Sequence, residues 1–204
     1  YRSSDHDPVI VGLDLGGDPA DEPLRLTLLH NNDGESALLP DAPVGGIARF
    51  STLVDDLRAE AELEPGNAAS LLVSSGDNFL AGPQLQASLE DPDGRFFDAI
   101  ALDAIGYDAS AIGNHEFDYG PVGPRAAAEP GDAPRGALLA RAEEARRLGV
   151  PFLAANILED GRPIAWPGVM PPVLVERAGR KVGIVGVSTE ETTRTTLRAN
   201  VREI

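Results

Sequence analysis

The chain has 204 residues, 42% of them hydrophobic, enough for one substantial core or two small ones and too apolar for a disordered segment. A formal charge of -16 argues against nucleic acid as a partner of this chain, because its long-range field repels a polyanion. Cysteine is absent, which removes disulfides, thiolate metal sites and a cysteine nucleophile and leaves the redox compartment open. In chain order, "PVIVGLDL" reads as a strand, and the Gly, Pro and acid-rich "GGDPADEP" at 16–23 as a linker, so residues 1–15 are expected to stand apart from the main body of the chain. "LRLTLLH" is the next strand. Ile47, Phe50, Val54, Leu57 and Ala61 then recur at spacings of three and four, the signature of an amphipathic helix. "ASLLVSS" is a continuous apolar run suited to a strand buried on both faces. A second helix is predicted with Phe97, Ile100, Ala101, Ala104 and Ile105 on one stripe, followed by a short strand in "DASAI". After a Gly and Pro-rich loop from about Tyr119 to Pro134, a third helix carries Leu138, Leu139, Ala142, Ala145 and Leu148, and "VPFLAAN" is another strand. "PPVLVERAGRKVGIVGVS" predicts two strands turning at "AGRK". Early strand and helix alternation implies an α/β core with largely parallel strands; the late pair implies an antiparallel addition. No stretch approaches the roughly 20 apolar residues of a membrane span, and "YRSSDHDPV" has neither the basic start nor the apolar run of a signal peptide.

Three of the strands run into polar loops: "NNDGE" at 31–35, "GDN" at 76–78 and "GNHEFD" at 113–118. Parallel strands share one carboxyl edge, where α/β proteins bind ligands. Neighbouring strands would therefore gather Asp33, Glu35, Asp77, Asn114 and His115, a set of hard oxygen donors plus an imidazole suited to Mn, Zn, Fe or Mg. Taken alone, "NNDG" suits a turn and "SGDN" a helix N-cap ahead of Phe79. "GNHEFD" resists that reading, since a turn has no need of His115 followed by two acids. His30 closes an apolar strand and is expected to be a buried, hydrogen-bonded histidine rather than a ligand.

"LHNNDGES", "SGDNF" and "GNHEFD", in that order, resemble the first three motifs of the calcineurin-like metallophosphoesterases, specifically their 5'-nucleotidase branch; "AANI" and "KVGIVGVSTEET" are similar to it too. The resemblance covers about Leu24 to Thr193. It implies a four-layer αββα sandwich, here incomplete on its C-terminal side, with two divalent metal ions at the sheet edge. Carried over residue by residue, Asp33 binds the first metal, Asp77 bridges both, and Asn114 binds the second. His115, oriented by Asp118, stabilises charge near the phosphoryl oxygens. An acidic chain thereby acquires a cationic pocket for a nucleotide or other phosphate ester, since bound metals reverse the local field. Proteins of this branch are commonly exported, which implies an extracellular or cell-envelope location.

Two departures accompany the resemblance. The first motif usually reads Asp, any residue, His, and Glu35 stands at the histidine position. The family's remaining ligands include a lone histidine and a Gly-His-x-His motif, whereas no histidine occurs after His115. The 204 residues are therefore expected to hold part of an active site and to be weakly active or inactive alone. At the other end, "SSDHDPVIVGL" resembles the closing motif of the endonuclease/exonuclease/phosphatase family, in which Asp5 and His6 would assist phosphodiester hydrolysis. The expected organisation is thus a nuclease-type terminal strand (1–15), a linker (16–23) and an incomplete metallophosphoesterase domain (24–204). A cyclic-nucleotide phosphodiesterase and a non-catalytic scaffold or ligand-binding domain are the alternatives.

Overall fold

Alternation within single strands decides which layer each residue joins. The computed structural model describes residues 10–13, 23–41, 43, 45–63, 66–80, 82–120, 136–202 and 204. Asp5, His6 and nearly all of the predicted linker lie outside them, whereas Ile10–Leu13, expected to stand apart from the main body, pair with its last strand. Five strands, β2 (Leu24–Asn31), β3 (Asn67–Ser74), β4 (Ala109–Ala111), β5 (Phe152–Leu153) and β8 (Val169–Met170), form a wholly parallel sheet in the order β2-β3-β4-β5-β8. A second sheet has the order β1-β10-β9 and is antiparallel: β1 (Ile10–Leu13), β9 (Pro172–Arg177) and β10 (Arg180–Val185). The predicted late hairpin is β9 and β10, turning at Ala178 and Gly179. A small hairpin, β6 (Leu158–Glu159) with β7 (Arg162–Pro163), lies between β5 and β8 in the chain.

Central β3 explains the layering. Leu71 and Val73 point into one core with Leu153, Val182 and Ile184, so the two sheets pack face to face. Leu72 points the other way, into a larger core with Val54, Leu102, Leu138 and Phe152. Those side chains belong to β5 and to α1 (Gly46–Glu62), α3 (Phe97–Ile105) and α4 (Gly136–Leu148). Described residues thus form three successive layers: helices, parallel sheet, antiparallel sheet. Leu174, on the β9 face turned away from the inter-sheet core, is 73% exposed, so no described element covers it.

Several sequence expectations shift. A short helix, α2 (Pro83–Leu89), begins behind Gly82, where no helix was expected, and none starts at Phe79. The buried stripe of α3 is Asp98, Ala99, Leu102 and Ile105; of the predicted stripe Ile105 lies on it, while Ile100 faces outward, because the helix also packs its acidic residue inward. In α4, Leu138, Ala142 and Ala145 are buried as predicted, but Arg141 and Glu144 join them while Leu148 is exposed. His30 is hydrogen-bonded, its Nε2 2.6 Å from Ser75 Oγ, yet exposed, because β2 occupies a sheet edge.

Candidate functional site

Parallel pairing delivers the polar loops to one rim. Beyond the last paired residues, Asn31 and Ser74, the two chains stay together through backbone hydrogen bonds. Asp33 N donates to Gly76 O (3.2 Å), Glu35 N to Asp77 O (2.9 Å) and Ser36 N to Asn78 O (2.7 Å). These loops turn through left-handed backbone: Asp33, Glu35, Ser36 and Asp77 have φ near +50° (54, 48, 54 and 52°). Aspartate tolerates that region, whereas Glu35 and Ser36 occupy it at a steric cost that the surrounding structure must offset.

Glu116, not singled out in the sequence, joins the second and third loops. Its buried carboxylate accepts from Gly113 N (2.7 Å), Asp77 N (3.0 Å) and Asn78 N (3.1 Å). The loops also meet at paired glycines: a Cβ on Gly76, whose φ is +101°, would lie 2.4 Å from Gly113 N, and one on Gly113 would lie 2.3 Å from Asp77 Oδ1. That approach lets Asp77 Oδ1 accept from His115 N at 2.8 Å. Asn78 fills the space beneath, its amide donating to Ser74 Oγ (2.9 Å) and Ser110 Oγ (3.0 Å). Ser188, also missed, donates to Ile112 O (2.6 Å) and ties the end of β10 to the strand β4.

The predicted site residues therefore fall into two sets on one rim. Asp77 and Asn114 are 1% and 2% exposed, while Asp33 and Glu35 are exposed, with Asn32 Nδ2 on Asp33 Oδ2. Asn114 Oδ1 is buried without a hydrogen-bond partner, which buried amide oxygens seldom are. An oxygen left so, one residue before the N–H that Asp77 Oδ1 accepts, fits a cation ligand, and the hard donor set fits a divalent ion. Among the described residues, no three His, Asp or Glu side chains cluster closely enough to hold a metal; the Asn114 amide falls outside that count. His115 Nδ1 lies 2.6 Å from Asp118 Oδ2. That hydrogen bond raises the imidazole to about 9 against the opposing effect of burial, and the Asp77 charge adds to the rise.

Beneath the loops lies a fully buried cation. The Arg141 guanidinium stacks on the Phe79 ring, 3.1 Å from its centroid, with Asp98 and Glu116 supplying opposite charge. Burial pushes the Asp98 carboxyl up to about 6 despite the attraction of Arg141. A cavity of about 440 Å³ adjoins this region, lined by Asp33, Phe50, Asn78, Asp98 and Tyr107 among others. It lies on the helix side of the first loop, and neither Asp77 nor Asn114 nor His115 borders it.

No protein-family profile matches the chain. It is 32% identical over 176 residues to a 5'-nucleotidase of Vibrio parahaemolyticus, a match covering 85% of this chain and 26% of that protein. It is 29% identical over 173 residues to protein UshA of Yersinia enterocolitica, covering 84% and 27%. The chain thus spans about a quarter of the length of these relatives. Among solved structures, the 5'-nucleotidase precursor of Thermus thermophilus matches with a TM-score of 0.57 at 26% identity, over 82% of this chain and 29% of that one. The calcineurin-like phosphoesterase YfkN of Bacillus subtilis shares the fold, with a TM-score of 0.56 at 16% identity, over 92% and 51%.

Proposed function

We propose that this chain, which belongs to the 5'-nucleotidase branch of the calcineurin-like metallophosphoesterases, contributes the metal-binding half of a phosphohydrolase acting on nucleotide phosphate esters. The observation that carries the reading is the junction of loops 76–78 and 113–118: a buried Asp77 that accepts from His115 N, a buried, partnerless Asn114 Oδ1, and an imidazole held by a carboxylate. Asp33 and Asp77 would hold one divalent ion and Asp77 with Asn114 a second. Bound there, the ions would clamp a phosphoryl group and neutralise the charge that develops on it. The chain's own residues supply the rest. Asp118 engages His115 Nδ1, leaving Nε2 to donate a proton or hydrogen bond to a phosphoryl oxygen or leaving group. Glu116 keeps both loops in register, and Gly76 with Gly113 lets them approach.

The remaining ligands and the nucleoside-recognising surface would come from elsewhere in a longer polypeptide, in keeping with the share of its relatives that this chain spans. In such a polypeptide, residues 1–15 would close a nuclease-type domain while their strand β1 pairs with β10 of this one, and the two domains would serve nucleotide scavenging. Description of the Thermus relative as a precursor supports an exported protein. Among the described residues no helix is long and apolar enough to cross a membrane. Glu35 supports a second reading, a non-catalytic ligand-binding domain, because it replaces the usual histidine and is exposed.

Calorimetric titration of the chain with Mn²⁺, followed by hydrolysis of AMP and bis(p-nitrophenyl) phosphate by the longer polypeptide, tests the proposal. Metal uptake with AMP hydrolysis is the expected result. Hydrolysis of the diester alone would move the assignment to a phosphodiesterase, and absence of both uptake and hydrolysis to the non-catalytic domain.

A further inference from the structure

We infer that Thr196 is a positioning residue for His115, acting through Asp118; this rests on the role proposed above for the imidazole. Each oxygen of the Asp118 carboxylate has its own partner: Oδ2 meets His115 Nδ1 at 2.6 Å, and Oδ1 accepts from Thr196 Oγ1 at 2.8 Å. A carboxylate held by one oxygen turns freely, since its terminal torsion is broad and roughly two-fold. Held by both, it presents one fixed acceptor to Nδ1–H, so the ring keeps one plane, with Nε2 outward. The Thr196 hydroxyl is the donor and the carboxylate oxygen the acceptor.

The segment that carries Thr196 is placed independently of this hydroxyl. One turn of helix, α5 (Thr192–Thr195), ends at Thr196, whose backbone is extended (φ -126°, ψ -175°). Beyond it, Asn200 Nδ2 donates to Phe117 O at 2.6 Å, and Val201 is buried in the same core as Phe117. Thr192, on the other side of Thr196, is buried as well, so the segment is held at both ends of 192–201. A hydroxyl needed merely to fasten the segment would duplicate those anchors. Seventy-eight positions separate Thr196 from Asp118, and "TTRTTLRAN" offers no motif that singles out one of its four threonines.

The test uses the metal-free 204-residue chain and reads the His115 Nδ1–H proton and imidazole ¹⁵N shifts by NMR, identified by their loss in His115→Ala. Wild type and Thr196→Ser, which keeps a hydroxyl, should show a slowly exchanging Nδ1–H signal and a single set of ring shifts. Thr196→Val, close in shape but without a donor, should exchange its Nδ1–H about tenfold faster, the fold-change expected for one lost hydrogen bond, and show broadened or multiple ring shifts. Its melting temperature should stay close to that of Thr196→Ser. Unchanged exchange in Thr196→Val overturns the inference, as does a wild type without a protected signal. Failure of Thr196→Ser to restore the signal, together with a lowered melting temperature in both variants, would also overturn it in favour of a purely structural role. Failure of the phosphohydrolase reading is distinguishable: the wild type would then take up no Mn²⁺ while the histidine signals still responded to Thr196.

Discussion

The loops at 76–78 and 113–118 differ from the loop at 31–36 in how each is held. Side chains stitch the former pair from within: Glu116 accepts three backbone N–H groups, and Asp77 a fourth. The first loop leans on its neighbour through main-chain bonds at Asp33, Glu35 and Ser36, turns through left-handed backbone at those same three residues, and leaves Asp33 and Glu35 exposed. Central strands β3 and β4 feed the stitched pair, whereas the edge strand β2 feeds the open loop. Half of the candidate site is therefore an extension of the core and half is a surface loop, so substitutions in the two halves should fail in different ways.

Glu116→Ala should have the largest effect, since it orphans the buried N–H groups of Gly113, Asp77 and Asn78 and removes a counter-charge from Arg141. At about 1–3 kcal/mol for each unsatisfied group, and with partial relaxation, urea denaturation should register a loss of about 4 kcal/mol. A loss under about 1 kcal/mol would erase the distinction between the two halves. Next, Asp77→Ala should weaken Mn²⁺ binding in calorimetry by more than about a hundredfold, whereas His115→Ala should leave metal uptake nearly intact while lowering turnover of the longer polypeptide. Equal metal loss in both variants would contradict the division of roles.

Asp98 sharpens the comparison from below the loops. Its folded-state carboxyl titrates near 6 rather than at its ordinary 3.8, chiefly through burial. Between about pH 4 and 6 the folded chain consequently binds more protons than the unfolded one, so stability falls as pH rises through that window and levels off above it. Asp98→Asn should flatten this part of the stability profile, a change on the order of 2 kcal/mol across the window. An unaltered slope would mean that the Asp98 carboxyl is not desolvated. The smallest effect is expected at Glu35. Glu35→Ala should move stability by no more than about 0.5 kcal/mol, because the side chain is exposed, and any change in Mn²⁺ affinity would then report its value as a ligand directly.

Much of this arrangement was legible in the sequence where local pattern and environment agree. The apolar run "SLLVSS" marked a strand covered on both faces, as Leu71, Leu72 and Val73 are. "AGRK" marked the turn of the β9 and β10 hairpin. The order of "NNDG", "GDN" and "GNHE", each after a strand, marked three loops of one rim, because parallel strands all end on the same side. Polar residues recruited to the interior were not legible. Glu116, Arg141 and Asp98 carry the signals of solvated positions, and only the packed structure, by removing water and supplying partners at long range, turns them into supports. His30 erred the other way: an apolar strand end implied burial, but position at a sheet edge left it exposed. By itself, then, the sequence determined the strand and helix layout, the reach of the polar loops to a common edge and the donor types available there, since these depend on residue periodicity and backbone direction. Tertiary structure alone decided that Asp77 and Asn114 lie inside while Asp33 and Glu35 lie outside, because burial and hydrogen-bond partnership depend on which strand ends at the centre of the sheet.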